Sequence, residues 1–326
     1  MEFCVDISIV VPLYNEEENV RLLYEEIAGV LDTMTCQSEI VFADDGSRDK
    51  TLEILEAIQQ QDPRVRAVSL RRNFGQTAAM TAGFDHASGE IIITMDGDLQ
   101  NDPHDIPKLI EMLNQGFDVV TGWRFDRQDP FLSRRLPSQM ANRLISWVTG
   151  VKLHDYGCTL KAFRREVIQN INLYGEMHRF IPAIASGMGI SFAEVKVNHR
   201  ARRFGTSKYG ISRTIRVVLD LITVKFMLSY ATRPLHVFGT VGVVSSSLGL
   251  FIGLILTIQR QFFGVGLANR PLLLLAVLLI FMGIQFITIG LLAELVVRTY
   301  HESQKKPIYF VRKVLGMVPS GEPPQA

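Results

Sequence analysis

The chain has 326 residues, room for one large domain or two smaller ones, and a formal charge of +1, so no global field points to nucleic acid or an acidic partner. Its mean hydropathy is positive at +0.17, unusual for a soluble enzyme, and the excess sits in the last third. Cys4, Cys36 and Cys158 are widely spaced and odd in number, which argues against a disulfide framework and for a reducing compartment.

The N-terminal "MEFCVDISIVV" starts acidic, carries no basic leader pattern, and runs straight into an apolar block. Up to about residue 205, short apolar runs alternate with amphipathic segments. Strands are predicted at Ile7–Val11, Ser38–Ala43, Val65–Ser69, Ile91–Met95, Asp118–Thr121 and Phe192–Val197. Helices are predicted at Glu17–Thr33, Lys50–Gln61, Thr77–Ala87 and Asp105–Gln115, with Asn15 and Glu18, and Ser47 and Asp49, marking two helix starts. β-branched runs separated by helices imply an α/β domain, a mainly parallel sheet covered on both faces. In such sheets the ligand crevice lies at the carboxyl ends of the strands. The polar clusters "PLYNEEEN", "DDGSRD" and "DGDLQND" fall there.

Beyond Tyr209 the character changes. Ile211–Tyr230 is apolar except for a narrow face of Arg213, Arg216, Asp220 and Thr223, as expected of a helix lying in a membrane interface. Leu235–Ile258 holds no acid, Lys or Arg, and Leu272–Val297 is broken only by Glu294. Each exceeds the roughly 20 residues that cross about 30 Å of hydrocarbon, so two transmembrane helices are predicted. Lys208, Arg213, Arg216, Lys225 and Arg233 precede them, and Arg298, Lys305, Lys306, Arg312 and Lys313 follow, against Arg260 and Arg270 between. This places both ends in the cytoplasm. The pairs Gly242/Ser246 and Gly249/Gly253 permit close helix contact and point to oligomer packing. The expected division is 1–210, a cytoplasmic catalytic domain; 211–233, a juxtamembrane amphipathic helix; 234–298, two spans; and 299–326, a cytoplasmic tail.

The densest chemistry is "IIITMDGDLQNDP". In extended chain, Asp96 and Asp98 point to one side, and Gly97 leaves room beside them. Two carboxylates past a strand end suit one hard divalent cation, Mg²⁺ or Mn²⁺, which also bridges to substrate phosphates. Asp102-Pro103 reads as the opening of the next helix. In "FADDGSRDKT", Ser47 or Asp49 takes the capping role, leaving Asp45 to face a nucleobase or ribose. Pro12 stops the first strand, and Tyr14 and Glu16 open a loop beside that base. His154 and His178 have no metal-ligand spacing, and "HRARR" reads as a solvated face apart from Arg202.

"SIVVPLYNEEENV", "VFADDGSRDKT", "RNFGQTAAMTAGFDHASGEIIITMDGDLQNDP" and "RRFGTSKYG" resemble, in order, the family 2 glycosyltransferases with their GT-A nucleotide-sugar fold. The C-terminal hairpin narrows the resemblance to the polyprenyl-phosphate glycosyltransferases: dolichyl-phosphate mannose synthase, bactoprenol glucosyltransferase and, nearest through "HDYGCTLKAFRREVI", the undecaprenyl-phosphate aminoarabinose transferase. The resemblance implies nucleoside contacts at Pro12, Tyr14, Glu16, Ala43 and Asp45. It implies metal and diphosphate contacts at Asp96, Gly97, Asp98 and Gln100, and cations around the phosphates at Arg124, Arg202 and Lys208. It also implies an acceptor-phosphate contact at Arg134 or Arg135. Asp155 is either a positioning group or base, or a turn acid before Gly157.

The expected reaction is metal-dependent, inverting transfer from a UDP-glucose or UDP-aminoarabinose-type donor to undecaprenyl phosphate at the inner membrane, in cell-envelope glycosylation. A tetramer is expected from the resemblance. The rivals are a transferase acting on a sugar or lipid hydroxyl, and a catalytically silent nucleotide-binding scaffold. The first lacks a Q-x-x-R-W sequence here, and the second has no use for an intact "DGD".

Overall fold

The computed structural model describes residues 6–125, 142–143, 145–146, 149–171, 173, 177–201, 234–264, 266, 271–303 and 308–316. The chain divides into two compact units, one of residues 1–224 with 307–326, the other of residues 225–306. In the first, an eight-stranded sheet carries helices in the order β1 (Ile7–Leu13), α1 (Val20–Leu31), β2 (Ser38–Asp44), α2 (Thr51–Gln61), β3 (Val65–Leu70), α3 (Gln76–His86), β4 (Ile91–Thr94), α4 (Ile106–Asn114), β5 (Val119–Arg124), β6 (Lys161–Arg164), α5 (Arg165–Gln169), α6 (Ile181–Ser186) and β7 (Phe192–Val197). Short 3₁₀ turns cover Pro103–Asp105 and Met177–Phe180. The last strand, β8 (Val311–Leu315), follows the second unit in sequence.

The strand order is β7-β5-β6-β4-β1-β2-β3-β8. The β1–β2, β2–β3, β1–β4 and β5–β7 pairs are parallel, and β6 and β8 pair antiparallel to their neighbours. The sheet is therefore mainly parallel, as expected. The chain winds outward from β1 through β2 to β3 and then crosses to β4 on the other side of β1. That reversal opens a crevice at the carboxyl ends of β1 and β4, where open α/β sheets bind ligands. Apolar residues of β1, β2 and β4 meet Val20, Leu23, Ile27 and Leu31 of α1 in the main core. Their three-and-four spacing is why this segment is a helix with one buried stripe.

Two strands lay outside the sequence expectations. β6 is four residues, "KAFR", too short to show a period. β8 lies in what was expected to be a tail, and it closes the β3 edge. Pro12 also differs from expectation, because β1 runs through it to Leu13. The Val10 carbonyl accepts from Met95 N–H on the β4 side, and the Leu13 carbonyl accepts from Asp45 N–H on the β2 side. By alternation Pro12 faces β4, which has already ended at Thr94. Its missing N–H thus costs no ladder bond.

The second unit is a pair of packed helices, α7 (Pro234–Phe263) and α8 (Pro271–Ser303), both long and apolar enough to cross a membrane. Leu254, Phe262, Leu274 and Phe281 are exposed, the pattern of a surface facing lipid rather than water. A Cβ at Gly242 would come within 2.6 Å of the Gly283 carbonyl, and one at Gly249 within 2.6 Å of the Ala276 carbonyl. Gly242, Ser246 and Gly249 therefore serve contact within the hairpin, while nothing lies within 4 Å of a Cβ at Gly253. The expected interfacial helix 211–230 lies outside the described residues.

Candidate active site

The loops after β1 and β2 are stitched together by their own polar side chains. Asn15, at φ 53°, donates its N–H to Ser47 Oγ (2.9 Å), and its Oδ1 accepts from Arg48 N–H (2.9 Å). Thr51 Oγ1 accepts from Glu16 N–H and Asp49 from Glu17 N–H. Asp49 also accepts from Thr51 N–H (3.0 Å), so it is the capping acid at the start of α2. α1 begins later than expected, at Val20 behind Asn19. Pro12, Tyr14 and Glu16 are partly exposed and Leu13 is buried, but Asn15 is exposed and left-handed, so the alternation ends at Tyr14. Glu16 Oε2 accepts from Asn19 Nδ2 at 2.6 Å. The Ala43 methyl, by contrast, is fully buried in a cluster with Val68, Leu70 and α3; it belongs to the core.

The paired acids of β2 have separate tasks. Asp44 accepts from Ser47 N–H (3.0 Å) and Ser69 Oγ (2.8 Å), which fixes the turn. Asp45 accepts from Phe74 N–H (2.7 Å) and Gly75 N–H (2.9 Å), holding the loop that precedes α3. Each of its oxygens keeps a second lone pair for a ligand. Burial pushes the Asp45 carboxyl up to about 6, with those two N–H groups opposing the shift. Gly46 sits at φ 66°, and a Cβ there would fall 2.5 Å from the Arg72 backbone carbon. This turn therefore requires glycine on two counts.

The acids after β4 lie beside those loops. Asp96 Oδ1 accepts from Gln76 Nε2 of α3 (2.8 Å), and its N–H donates to Asn101 Oδ1 (3.2 Å), which also accepts from Thr159 (3.0 Å). Asp98 is buried and accepts from Gln100 N–H at 3.2 Å. Leu99 turns left-handed at φ 62°. A Cβ at Gly97 would run into the Leu13 side chain, so the room left by this glycine is taken up by β1 itself. Burial and the like charge of Asp98 push the Asp96 carboxyl up to about 6, with Arg124 and Arg179 opposing. A hard cation is the group that relieves such a pair. Among the described residues no cluster of three or more His, Cys, Asp or Glu is placed to hold a metal. Two carboxylates and no more, with other positions open to water or phosphate oxygens, is a donor set of the kind that suits Mg²⁺ or Mn²⁺.

Arg124, at the end of β5, forms a two-pronged ion pair with Asp155, Nε to Oδ2 at 2.7 Å and Nη2 to Oδ1 at 2.9 Å. Burial would lower its pKa, but the Asp155 bonds and charge hold it above the ordinary range. Asp155 also accepts from Gly157 N–H at 3.1 Å, so the turn-acid role is real alongside the pair. Lys161 is buried nearby, pushed down to about 8 by desolvation. Arg179, Gln76 and Thr159 were not singled out from the sequence. "GEMHRFIPA" around Arg179 gives no spacing signal, and only the 3₁₀ turn places it within electrostatic reach of Asp96.

His178 is buried against Thr77 Oγ1 (2.8 Å), and His154 stacks on Trp123 and pairs with Glu194 (2.8 Å). His178 is a packing histidine and His154 an exposed partner of Glu194. Arg200 is not a solvated charge: it binds Glu26 (2.6 Å) and Asp102 (2.7 Å), and its N–H donates to the Gln100 carbonyl (2.9 Å). Gln100 Nε2 in turn donates to the Arg200 carbonyl at 3.4 Å. Asp102 accepts from His104 N–H with Pro103 at the first helical position, as read from the sequence. Arg134, Arg135, Arg202 and Lys208 lie outside the described residues.

The family model "Glycosyl transferase family 2" matches residues 8–171. The chain is 45% identical over 314 residues to the dodecaprenyl-phosphate galacturonate synthase of Rhizobium johnstonii, covering 95% of this chain and 93% of that protein. It is 39% identical over 312 residues to the undecaprenyl-phosphate 4-deoxy-4-formamido-L-arabinose transferase of Photorhabdus laumondii, covering 95% and 94%. Among solved structures, the glucosyl-3-phosphoglycerate synthase of Mycobacterium tuberculosis in complex with Mn²⁺, UDP and glucosyl-3-phosphoglycerate superposes with TM-score 0.53 at 19% identity, over 69% of this chain and 80% of that one. That likeness establishes the GT-A fold.

Proposed function

The chain belongs to glycosyl transferase family 2, and on that footing we propose that it transfers a sugar from a nucleoside diphosphate to a polyprenyl phosphate at a membrane surface. The observation that carries the reading is that residues 74–76 bond both Asp45 and Asp96, with Asp98 in the same loop as Asp96, in a chain that also holds two apolar helices of spanning length.

In this reading, Pro12, Tyr14, Glu16 and Asp45 hold the nucleoside, and the Asp45 oxygens accept from the base or ribose. Asp96 and Asp98 would hold a divalent cation, which when bound neutralises charge developing on the leaving diphosphate. Arg124 adds fixed positive charge, aimed by Asp155, and Arg179 adds more beside Asp96. Arg202 and Lys208 join from the segment that follows Arg200, and Arg134 or Arg135 meets the acceptor. Asp155 is a positioning residue here, because its carboxylate is committed to Arg124. An acceptor phosphate is already anionic near neutral pH, so orientation suffices without a strong base. An alcohol acceptor would need one.

The donor is a UDP-sugar, and the relatives point to a uronic acid or a 4-amino-type pentose rather than an unmodified hexose. The two helices span the inner membrane, and the sheet-bearing unit with both chain ends lies on the cytoplasmic side. A donor screen tests the reading: UDP-galacturonate, UDP-4-formamido-arabinose and UDP-glucose, each labelled in the sugar, with undecaprenyl phosphate in detergent. Label in the organic phase supports it. Label in polymer favours the hydroxyl-transfer rival, and no turnover with any donor favours the silent scaffold.

A further inference from the structure

We infer that residues 308–311, where the chain returns to the sheet after the two long helices, are a positioning segment for the donor-binding loop 71–76. β8 adds to the β3 edge antiparallel, with Val68 opposite Val314 and Leu70 opposite Val311. Just before it, the Phe310 carbonyl accepts from Arg71 N–H at 2.9 Å, and the Val311 carbonyl accepts from Arg71 Nε at 3.3 Å. The Phe310 ring lies 6.1 Å from that of Phe74, whose other neighbour is the Arg72 guanidinium, 4.2 Å from the ring centre. Tyr309 is 7% exposed and packs against Ala78, Ala79 and Ala82 of α3, and its hydroxyl donates to Asp85 at 2.7 Å.

The same short loop carries the groups that meet the site. Phe74 and Gly75 give their N–H groups to Asp45, and Gln76 gives its side-chain amide to Asp96. The Arg72 backbone fills the space beside Gly46. Loop 71–76 is therefore clamped between the returning strand on one side and two site carboxylates on the other. Nothing about nucleoside binding by Asp45 or cation binding by Asp96 requires a strand whose Val311 lies 240 residues beyond Arg71. β8 itself runs along the β3 edge from Ala67 to Leu70, whereas Tyr309 and Phe310, just before it, meet α3 and Phe74 of the loop. The inference rests on the reading of Asp45 as a donor contact.

The test uses the full chain in detergent. Tyr309→Phe removes one hydrogen bond and keeps the ring; Phe310→Ala removes a ring that is 59% exposed and so leaves little cavity. Lys313→Ala, which breaks only an exposed pair with Glu56, is the control. UDP and GDP are titrated, donor and acceptor KM are measured, and amide exchange is followed at Phe74 and Gly75. Expected are faster exchange at those two amides and a donor dissociation constant raised about tenfold in the Tyr309 and Phe310 variants, with acceptor KM unchanged. The control is expected to match wild type. Unchanged exchange overturns the inference. Unchanged donor affinity in both tail variants beside weakened affinity in Asp45→Asn overturns the inference alone. Unchanged affinity in all three overturns the donor reading of Asp45 and the inference with it.

Discussion

The buried Arg124–Asp155 pair puts a fixed cation within the field of Asp96. Replacing Asp155 with Asn leaves a guanidinium buried without its counter-charge. Breaking such a pair from one side costs about 3–5 kcal/mol, and the cost is expected as a fall in the thermal midpoint of the purified chain. Arg124→Lys keeps the charge but loses the fork, so it is expected to lower kcat more than it raises donor KM. Equal loss of donor affinity and rate in Arg124→Lys would place this arginine in ground-state binding instead. Asp45 gives a pH signature. Its folded pKa, about 6 against the ordinary 3.8, means the folded state binds the proton more tightly than the unfolded chain. Its contribution is thus lost as pH rises from about 4 to about 6, and roughly 2–3 kcal/mol is at stake. Wild type is expected to lose stability relative to Asp45→Asn as pH rises across that window, as read from unfolding midpoints at several pH values. A pH-independent difference would mean that Asp45 is ionised in both states throughout.

At the scale of elements, the absence of a side chain at Gly97 lets the loop after β4 lie close against Leu13 of β1. Gly97→Ala is expected to destabilise the chain by about 1–3 kcal/mol through overpacking. Leu13→Ala in the same chain is expected to recover part of that loss, as a double-mutant cycle of unfolding midpoints would measure. Additive losses would mean that Leu13 does not limit this loop. The strands β1 to β5 and β7 were legible as apolar, β-branched runs, even the four residues "IIIT" of β4, and the helices α1 to α4 by their length between them. β6 was not, since "KAFR" has the same length but a charge at each end and no β-branched residue. The acid pairs were legible as a site because they follow apolar runs. Their division of labour was legible in part: Asp49 was one of two residues read as the cap, but that Asp44 fixes the turn while Asp45 holds loop 71–76 depends on Ser69 and Gly75, 25 and 30 residues away. The Arg124–Asp155 pair was equally hidden, as its members are 31 residues apart.

For the whole molecule, charge distribution and topology point the same way. The chain leaves the sheet-bearing unit, passes through two helices of spanning length, and comes back to supply β8 to the same sheet. If both helices cross, that return requires both flanks on one side of the membrane, independently of the lysine and arginine count. Single cysteines placed at Gly266 and at Arg312, in a chain whose native cysteines are replaced, are expected to react with an impermeant thiol reagent from opposite sides. Labelling of both from one side contradicts a crossing hairpin.

The central claim is that the nucleophile is a lipid phosphate, served by positioned charge rather than by a base. Purified chain is incubated with Mg²⁺ or Mn²⁺, the best UDP-sugar from the screen, and either undecaprenyl phosphate or undecaprenol. Lipid extracts are then weighed by mass spectrometry. The account predicts one sugar added to the phosphate-bearing lipid and none to the alcohol, with Asp98→Asn lowering the rate at saturating metal by about 10²-fold or more. Sugar on undecaprenol, or full rate in Asp98→Asn, would contradict it.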